Sequence, residues 1–236
     1  NPGDVLPGTI NRVNPEHITD FEAGFKSDLF DQRMRLNLTA FHYDYKDMQV
    51  LQFNGSSSLL RNAASATIQG LELESVAIIT DRLTARGNIS FLDATYDKFE
   101  NVREPGTVNP DGTTANVVLA NAAGNHLTRS PEWTATLGFD YTIPMPDSGS
   151  VVLGVNGYYN DGFFWDNVNR LQEDAYTIFN ASVLWNLPGD RYSIRLWSNN
   201  LGETEYCNYR SGVATRLDNC VPAAPRTYGV TFNAQF

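Results

Sequence analysis

The chain has 236 residues, 42% hydrophobic and 12% aromatic, with 27 acidic against 17 basic residues and a net charge of −10. That balance lacks the basic surface that nucleic-acid binding requires, so no nucleic-acid partner is expected. No run approaches the roughly 18 to 20 apolar residues of a membrane-spanning helix, which excludes a helical membrane protein but not a β-barrel, whose strands alternate.

Period-two alternation recurs along nearly the whole chain and predicts an all-β fold. In the first strand, near 17–30, Phe21, Ala23 and Phe25 alternate with Glu22, Gly24 and Lys26. A second, near 33–48, changes apolar phase between Ala40 and Phe41, which predicts a bulge there. Strands near 66–80 and 83–98 follow, the latter setting Leu83, Ala85, Ile89 and Phe91 against Thr84, Arg86, Asn88 and Ser90. The strand near 130–143 places Trp133, Ala135, Leu137, Phe139, Tyr141 and Ile143 on one face. Four more are expected near 150–162, 175–187, 191–203 and 226–236. The last alternates Tyr228, Val230, Phe232, Ala234 and Phe236 with Thr227, Gly229, Thr231, Asn233 and Gln235.

The links alternate in length. Short ones with turn chemistry fall at Asp31-Gln32, Asp81-Arg82, Pro144–Gly149 and Pro188–Asp190. Between them lie long ones at Val50–Ser65, Phe99–Arg129, Gly162–Asp174 and Thr204–Pro225. A compact soluble domain seldom keeps several structureless loops of that size, whereas an outer-membrane barrel has tight periplasmic turns and long outer loops. The pattern therefore predicts an antiparallel up-and-down transmembrane β-barrel with apolar faces on lipid and polar faces on a wet lumen. A soluble β-sandwich is the alternative, and it leaves the alternation of link lengths unaccounted for. Aromatic girdles are expected from Trp185, Tyr192 and Phe236 at the turn side and from Tyr158, Tyr159 and Trp165 at the loop side.

Chemistry-bearing groups are sparse. His17, His42 and His126 are scattered, and no P-loop, nucleophile elbow or metal-ligand cluster occurs, so no catalytic residue, metal or cofactor is expected. Glu72 and Glu74 share a strand face and are expected to pair with Lys26, Arg35 or Arg86 on neighbouring strands. Cys207 and Cys220 lie in one loop segment and suit a disulfide in an oxidising compartment, contributing about 3 kcal/mol through loop entropy; two free thiols are the alternative. Phe163, Phe164, Trp165 and Arg170 on one loop, with Tyr206, Tyr209, Arg210 and Arg216 on the next, combine ring surface with guanidinium forks. They are candidate ligand contacts for an anionic or aromatic chelate, with loop folding and lipopolysaccharide contact as the other reading.

Several strings resemble the barrel of TonB-dependent outer-membrane receptors. They are Pro15, Glu16, Glu22, Gly24 and Lys26; Asn62, Ala63, Ile68, Gly70 and Glu72; Asn200, Leu201 and Tyr206; and Pro225, Arg226, Tyr228, Gly229 and Phe236, in that order along the chain. The resemblance implies a bacterial outer-membrane location and a barrel of about 22 strands filled by an amino-terminal plug. Residues 1–236 are then expected to be its nine carboxy-terminal strands, with the plug, TonB box, earlier strands and signal segment upstream of Asn1. It further implies non-enzymatic, TonB-energised uptake of a scarce ligand, a ferric siderophore first, with cobalamin, glycan or a passive porin-like channel as alternatives. The implied partners are lipid and lipopolysaccharide, the TonB complex, a small-molecule or metal-chelate ligand, and the barrel-assembly machinery, which would read Tyr228, Phe232 and Phe236.

Overall fold

A computed structural model of the chain describes residues 12–54, 57–103, 119–189, 191–212 and 218–235. Nine strands form one continuous antiparallel sheet in which every sequence neighbour is a spatial neighbour. They are β1 (His17–Leu29), β2 (Met34–Asn54), β3 (Ser57–Ile78), β4 (Leu83–Phe99), β7 (Trp133–Met145), β8 (Gly149–Asn160), β11 (Tyr176–Asn186), β12 (Tyr192–Asn199) and β15 (Thr227–Ala234). The remaining strands are short ribbons in the links: β5 (Val102–Arg103) with β6 (Leu119–Ala120), β9 (Phe163–Phe164) with β10 (Gln172–Glu173), and β13 (Cys207–Gly212) with β14 (Asp218–Pro222). The up-and-down order is that of a barrel wall, with β1 and β15 each paired on one side only among the described strands.

Register fixes the two faces. Leu38, Leu73 and Ile89 pair in line across β2, β3 and β4, and Phe139, Val155 and Ala181 do so across β7, β8 and β11. Most of the large members of this apolar face are exposed, including Phe21, Leu71, Leu137 and Phe179, and no layer of the described residues covers it. An apolar band of this extent is unfavourable in water and matched to lipid. On the opposite face, Arg35, Glu74, Arg86, Asp140, Asn156, Asn180 and Arg195 come from seven strands and converge on one concavity of 680 Å³. The polar face is thus the concave one, and the alternation assigns lumen and exterior as expected.

Three expectations are corrected. The phase change in β2 is not a bulge: pairing with β1 and β3 runs unbroken through Ala40 and Phe41. Phe41 and Tyr43 simply lie on the polar face, where they stack at 5.2 Å. The bulge falls beyond Tyr45, at Asp47, which has a positive φ of 56°. The supposed long link at 50–65 is for the most part strand, since β2 and β3 continue past the bulge as a hairpin as far as Asn54 and Ser57. Finally, Tyr158 and Trp165 are not girdle residues: Tyr158 lies on the lumen face with its ring 6.2 Å from Tyr176, and Trp165 packs among the loops. Tyr159 and Trp133 stand on the outer face instead, the latter against Phe91.

The family-like strings have local physical roles. Asn62 Oδ1 accepts from Asn14 N at 2.7 Å, while its Nδ2 donates to Asp47 O at 2.6 Å, clasping the bulge. Glu16 Oε1 accepts from Gln49 N at 2.6 Å, and this bond, then one from Tyr45, holds its carboxyl below the ordinary value. Gly70 lies under the Phe41 ring, so an added Cβ would sit 2.6 Å from Phe41 Cζ; Gly229 is covered likewise by Trp197. These rings take the space that side chains would occupy on the lumen face.

Candidate functional site at the loop end of the sheet

The well-packed core lies above the sheet, at its loop end. Ala64, Ala66, Tyr96, Phe99, Val102 and Ala122 are buried together, with Leu127 and Val168 packed on them. Loop polar groups are then paired in detail. Tyr96 Oη donates to Asn167 Oδ1 at 2.9 Å, and Asn125 Nδ2 donates to Asn167 O at 3.0 Å. Asp166 Oδ1 accepts from Arg170 N and Leu171 N, closing the turn between β9 and β10. The link from β4 to β7 is thereby joined to the link from β8 to β11.

Glu173 joins that assembly to the next link. It is 4% exposed; Oε1 accepts from Cys207 N at 2.9 Å, Oε2 accepts from Trp165 Nε1 at 3.1 Å, and Arg210 Nε lies 3.4 Å away. Cys207 and Cys220 are bonded to one another, closing the β13–β14 ribbon. At its base, Asn200 is buried with a positive φ of 50°; its amide brackets the backbone of Thr204, and its N donates to Asn180 Oδ1. Arg226 reaches back to Leu201 O and pairs with Glu203 at 3.0 Å. The two closing strings of the sequence therefore meet in one latch.

Most of the candidate contacts do come together. Trp165 packs edge-on to Phe163 at 4.8 Å and to Tyr209 at 5.9 Å, and Arg129 lies over both rings, 4.7 Å from Trp165 and 5.7 Å from Tyr209. Phe164 stacks on His126, and Tyr206 stacks separately on Tyr176 at 4.6 Å. The guanidinium groups are not free forks. Arg170 is bound to Asp218 and Asp166, and Arg210 to Glu173, Gln172 O and Cys207 Sγ. Arg216 and Phe236 lie outside the described residues; Tyr228 and Phe232 stand on the outer face of β15. Sequence reasoning missed Arg129, Glu173 and Asn169, each of which has partners in another link that follow no local period.

On the lumen face the expected pairs of Glu72 and Glu74 do not form. Arg35 is taken by Asp28 and Arg86 by Asp140, Glu74 accepts only from Asn37 Nδ2, and Glu72 has no polar partner among the described residues. No group of three or more possible ligands for a metal occurs among the described residues. The face can solvate and hydrogen-bond a neighbouring polar body.

A continuous up-and-down sheet with an apolar outside, a polar concave inside and folded loops at one end defines the wall of an outer-membrane β-barrel. The chain belongs to the family described as TonB dependent receptor-like, beta-barrel, whose model matches residues 2–201. It is a family of the bacterial outer membrane, and its members are not enzymes. The chain is 26% identical over 200 residues to the metal-pseudopaline receptor CntO of Pseudomonas aeruginosa, covering 75% of this chain and 26% of that protein. It superposes on the ferric yersiniabactin uptake receptor FyuA of Yersinia pestis with a TM-score of 0.74 at 18% identity, covering 94% of this chain and 30% of that one. The siderophore receptor PiuA of Acinetobacter baumannii gives 0.71 at 20% identity, with 98% and 30% covered. The chain thus spans about a third or less of the length of these relatives.

Proposed function

We propose that this chain is the carboxy-terminal wall of a TonB-energised receptor that captures a metal chelate outside the cell, with a ferric siderophore as the leading ligand class. Membership of the receptor-barrel family over residues 2–201 carries the proposal. The geometry adds to it: a rigid loop assembly with rings at its surface sits above a concave polar wall. In this reading the strands supply scaffold and lumen, and a plug from the remainder of the protein seats against Arg35, Glu74 and Arg195. Ligand contact belongs to Phe163, Trp165, Tyr206 and Tyr209.

The test is uptake of iron-55 chelates by cells that express the complete parent protein and lack other receptors, with and without a functional TonB. Uptake that vanishes without TonB is expected. Uptake that persists without TonB, together with steady ionic conductance in planar bilayers, would instead establish a passive channel.

A further inference from the structure

We infer that Glu173 is the positioning residue of an aromatic recognition wall, and that this wall takes a ring-bearing, uncharged metal chelate by stacking. The inference rests on the receptor reading above and adds to it a ligand class and a residue.

Among the described residues, Glu173 ties the link between β8 and β11 to the β13–β14 ribbon. Its oxygens take the indole N–H of Trp165, the backbone N–H of Cys207 and the guanidinium of Arg210. The side chain is 5% exposed, so it does not itself face a ligand. A buried carboxylate accepting several N–H groups fixes their directions more firmly than neutral acceptors would. Fixing the indole N–H sets the plane of Trp165, and that plane carries Phe163 at 4.8 Å, Tyr209 at 5.9 Å and the overlying Arg129. Tyr209 remains 48% exposed and offers ring surface outward.

The charge pairing then selects the ligand. Arg170 lies on Asp166 and Asp218, Arg210 on Glu173 and Arg226 on Glu203, so among the described residues the charge that Arg129 keeps over its two rings is balanced and no guanidinium excess draws an anion. An anionic chelate approaching this wall would gain Arg170, Arg210 or Arg226 only by breaking one of these pairs. The exposed surface of Tyr209 is available without such a cost, and stacking needs no charge on the ligand.

The experiment uses the complete parent receptor, TonB-dependent iron-55 uptake and three probes. These are a ferric tris(hydroxypyridinone), uncharged and ring-bearing; a ferric aliphatic trihydroxamate, uncharged and without rings; and a ferric tricatecholate, trianionic. The variants are Glu173→Ala, Trp165→Phe, their combination and Arg170→Gln. Assembly is scored by heat-modifiable mobility on gels, so that a folding defect is separated from a binding one. The hydroxypyridinone complex is expected to have the lowest KM. Glu173→Ala should raise that KM about five- to tenfold at unchanged maximal rate, and add little more once Trp165 is already Phe.

Preference for the aliphatic probe, preference for the trianion with loss in Arg170→Gln, or additive effects of the two variants would each overturn the inference while leaving the receptor reading intact. A Glu173→Ala protein that fails to assemble is replaced by Glu173→Gln, which keeps one acceptor and should raise the KM less. Absence of TonB-dependent uptake of all three probes by the wild type would overturn both.

Discussion

The side-chain amide of Asn169 bonds the backbone of His126 from both sides: Oδ1 accepts from His126 N at 2.8 Å, and Nδ2 donates to His126 O at 3.0 Å. The amide stands in for a strand neighbour across two links that are 43 residues apart in sequence. Asn169 itself has a positive φ of 56°, a conformation that Asn tolerates better than most residues. Replacing it by Ala leaves both backbone groups of His126 without a partner, at a cost of about 1–3 kcal/mol. In the complete receptor, Asn169→Ala should leave barrel assembly unchanged and make the link around His126 cleavable by added protease several times faster. Equal cleavage rates would show that the packed core, and not this amide, holds the links together.

The strands were legible in the sequence because a barrel wall has one physical rule per residue: lipid on one side and water on the other. Phe139, Val155 and Leu196 obey it, and the nine strands of the sheet fall where alternation places them, except that β2 and β3 run on through most of the expected link at 50–65. Phe41 broke the rule for a local reason, since its ring fills the space over Gly70 on the lumen side. The loop assembly was legible only in composition. Phe163, Trp165 and Tyr209 do meet, but the partners of Arg170 and Arg210 could not be read, because Asp218 and Glu173 lie on other ribbons and no period connects them.

Phe139 stands in the middle of β7 on the exposed face, in register with Ala85 and Val155. Phe139→Asp puts a carboxylate at mid-depth of the membrane, which costs on the order of 2 kcal/mol in addition to the lost apolar contact. The amount of assembled receptor in outer-membrane fractions should drop several-fold. Asp at the adjacent lumen position, Gly138→Asp, should be better tolerated electrically, so comparing the two variants isolates the effect of lipid. Equal levels for Phe139→Asp and wild type would mean that this face does not meet lipid.

The cystine closes a segment with a sequence separation of 13, for which chain entropy predicts about 3 kcal/mol of local stabilisation. Changing both Cys207 and Cys220 to Ser should therefore raise amide exchange in the β13–β14 ribbon and leave the sheet unaffected. The neighbouring Glu173 contacts also weaken, so Trp165 emission should shift. Exchange-mass spectrometry of the complete receptor in detergent reads both regions at once, and unchanged ribbon exchange would count against the estimate.

Deletion of Phe236 tests the closing strand. Tyr228 and Phe232 stand exposed on the outer face of β15, and the sequence alternation continues that face to Phe236. Removing this apolar residue should slow assembly and lower the folded fraction, as scored by heat-modifiable mobility. Wild-type assembly kinetics would show that the Phe236 ring plays no part in insertion.

Glu16 gives a pH dependence whose sign follows from its contacts. The Gln49 N–H and then Tyr45 favour its charged form, so its folded pKa lies below the ordinary value of 4.5. Its contribution is complete above that value and is lost as pH falls through the lower, folded one. Protection of the Gln49 amide, normalised to intrinsic exchange, should therefore hold from neutral pH down to about 4.5 and decline progressively below it. Glu16→Gln can still offer an oxygen to Gln49 N but has no charge to lose, so its protection should be lower at neutral pH and flat across the same range. A decline in the wild type that begins well above pH 4.5 would mean that a different group holds the start of β1 against the bulge in β2.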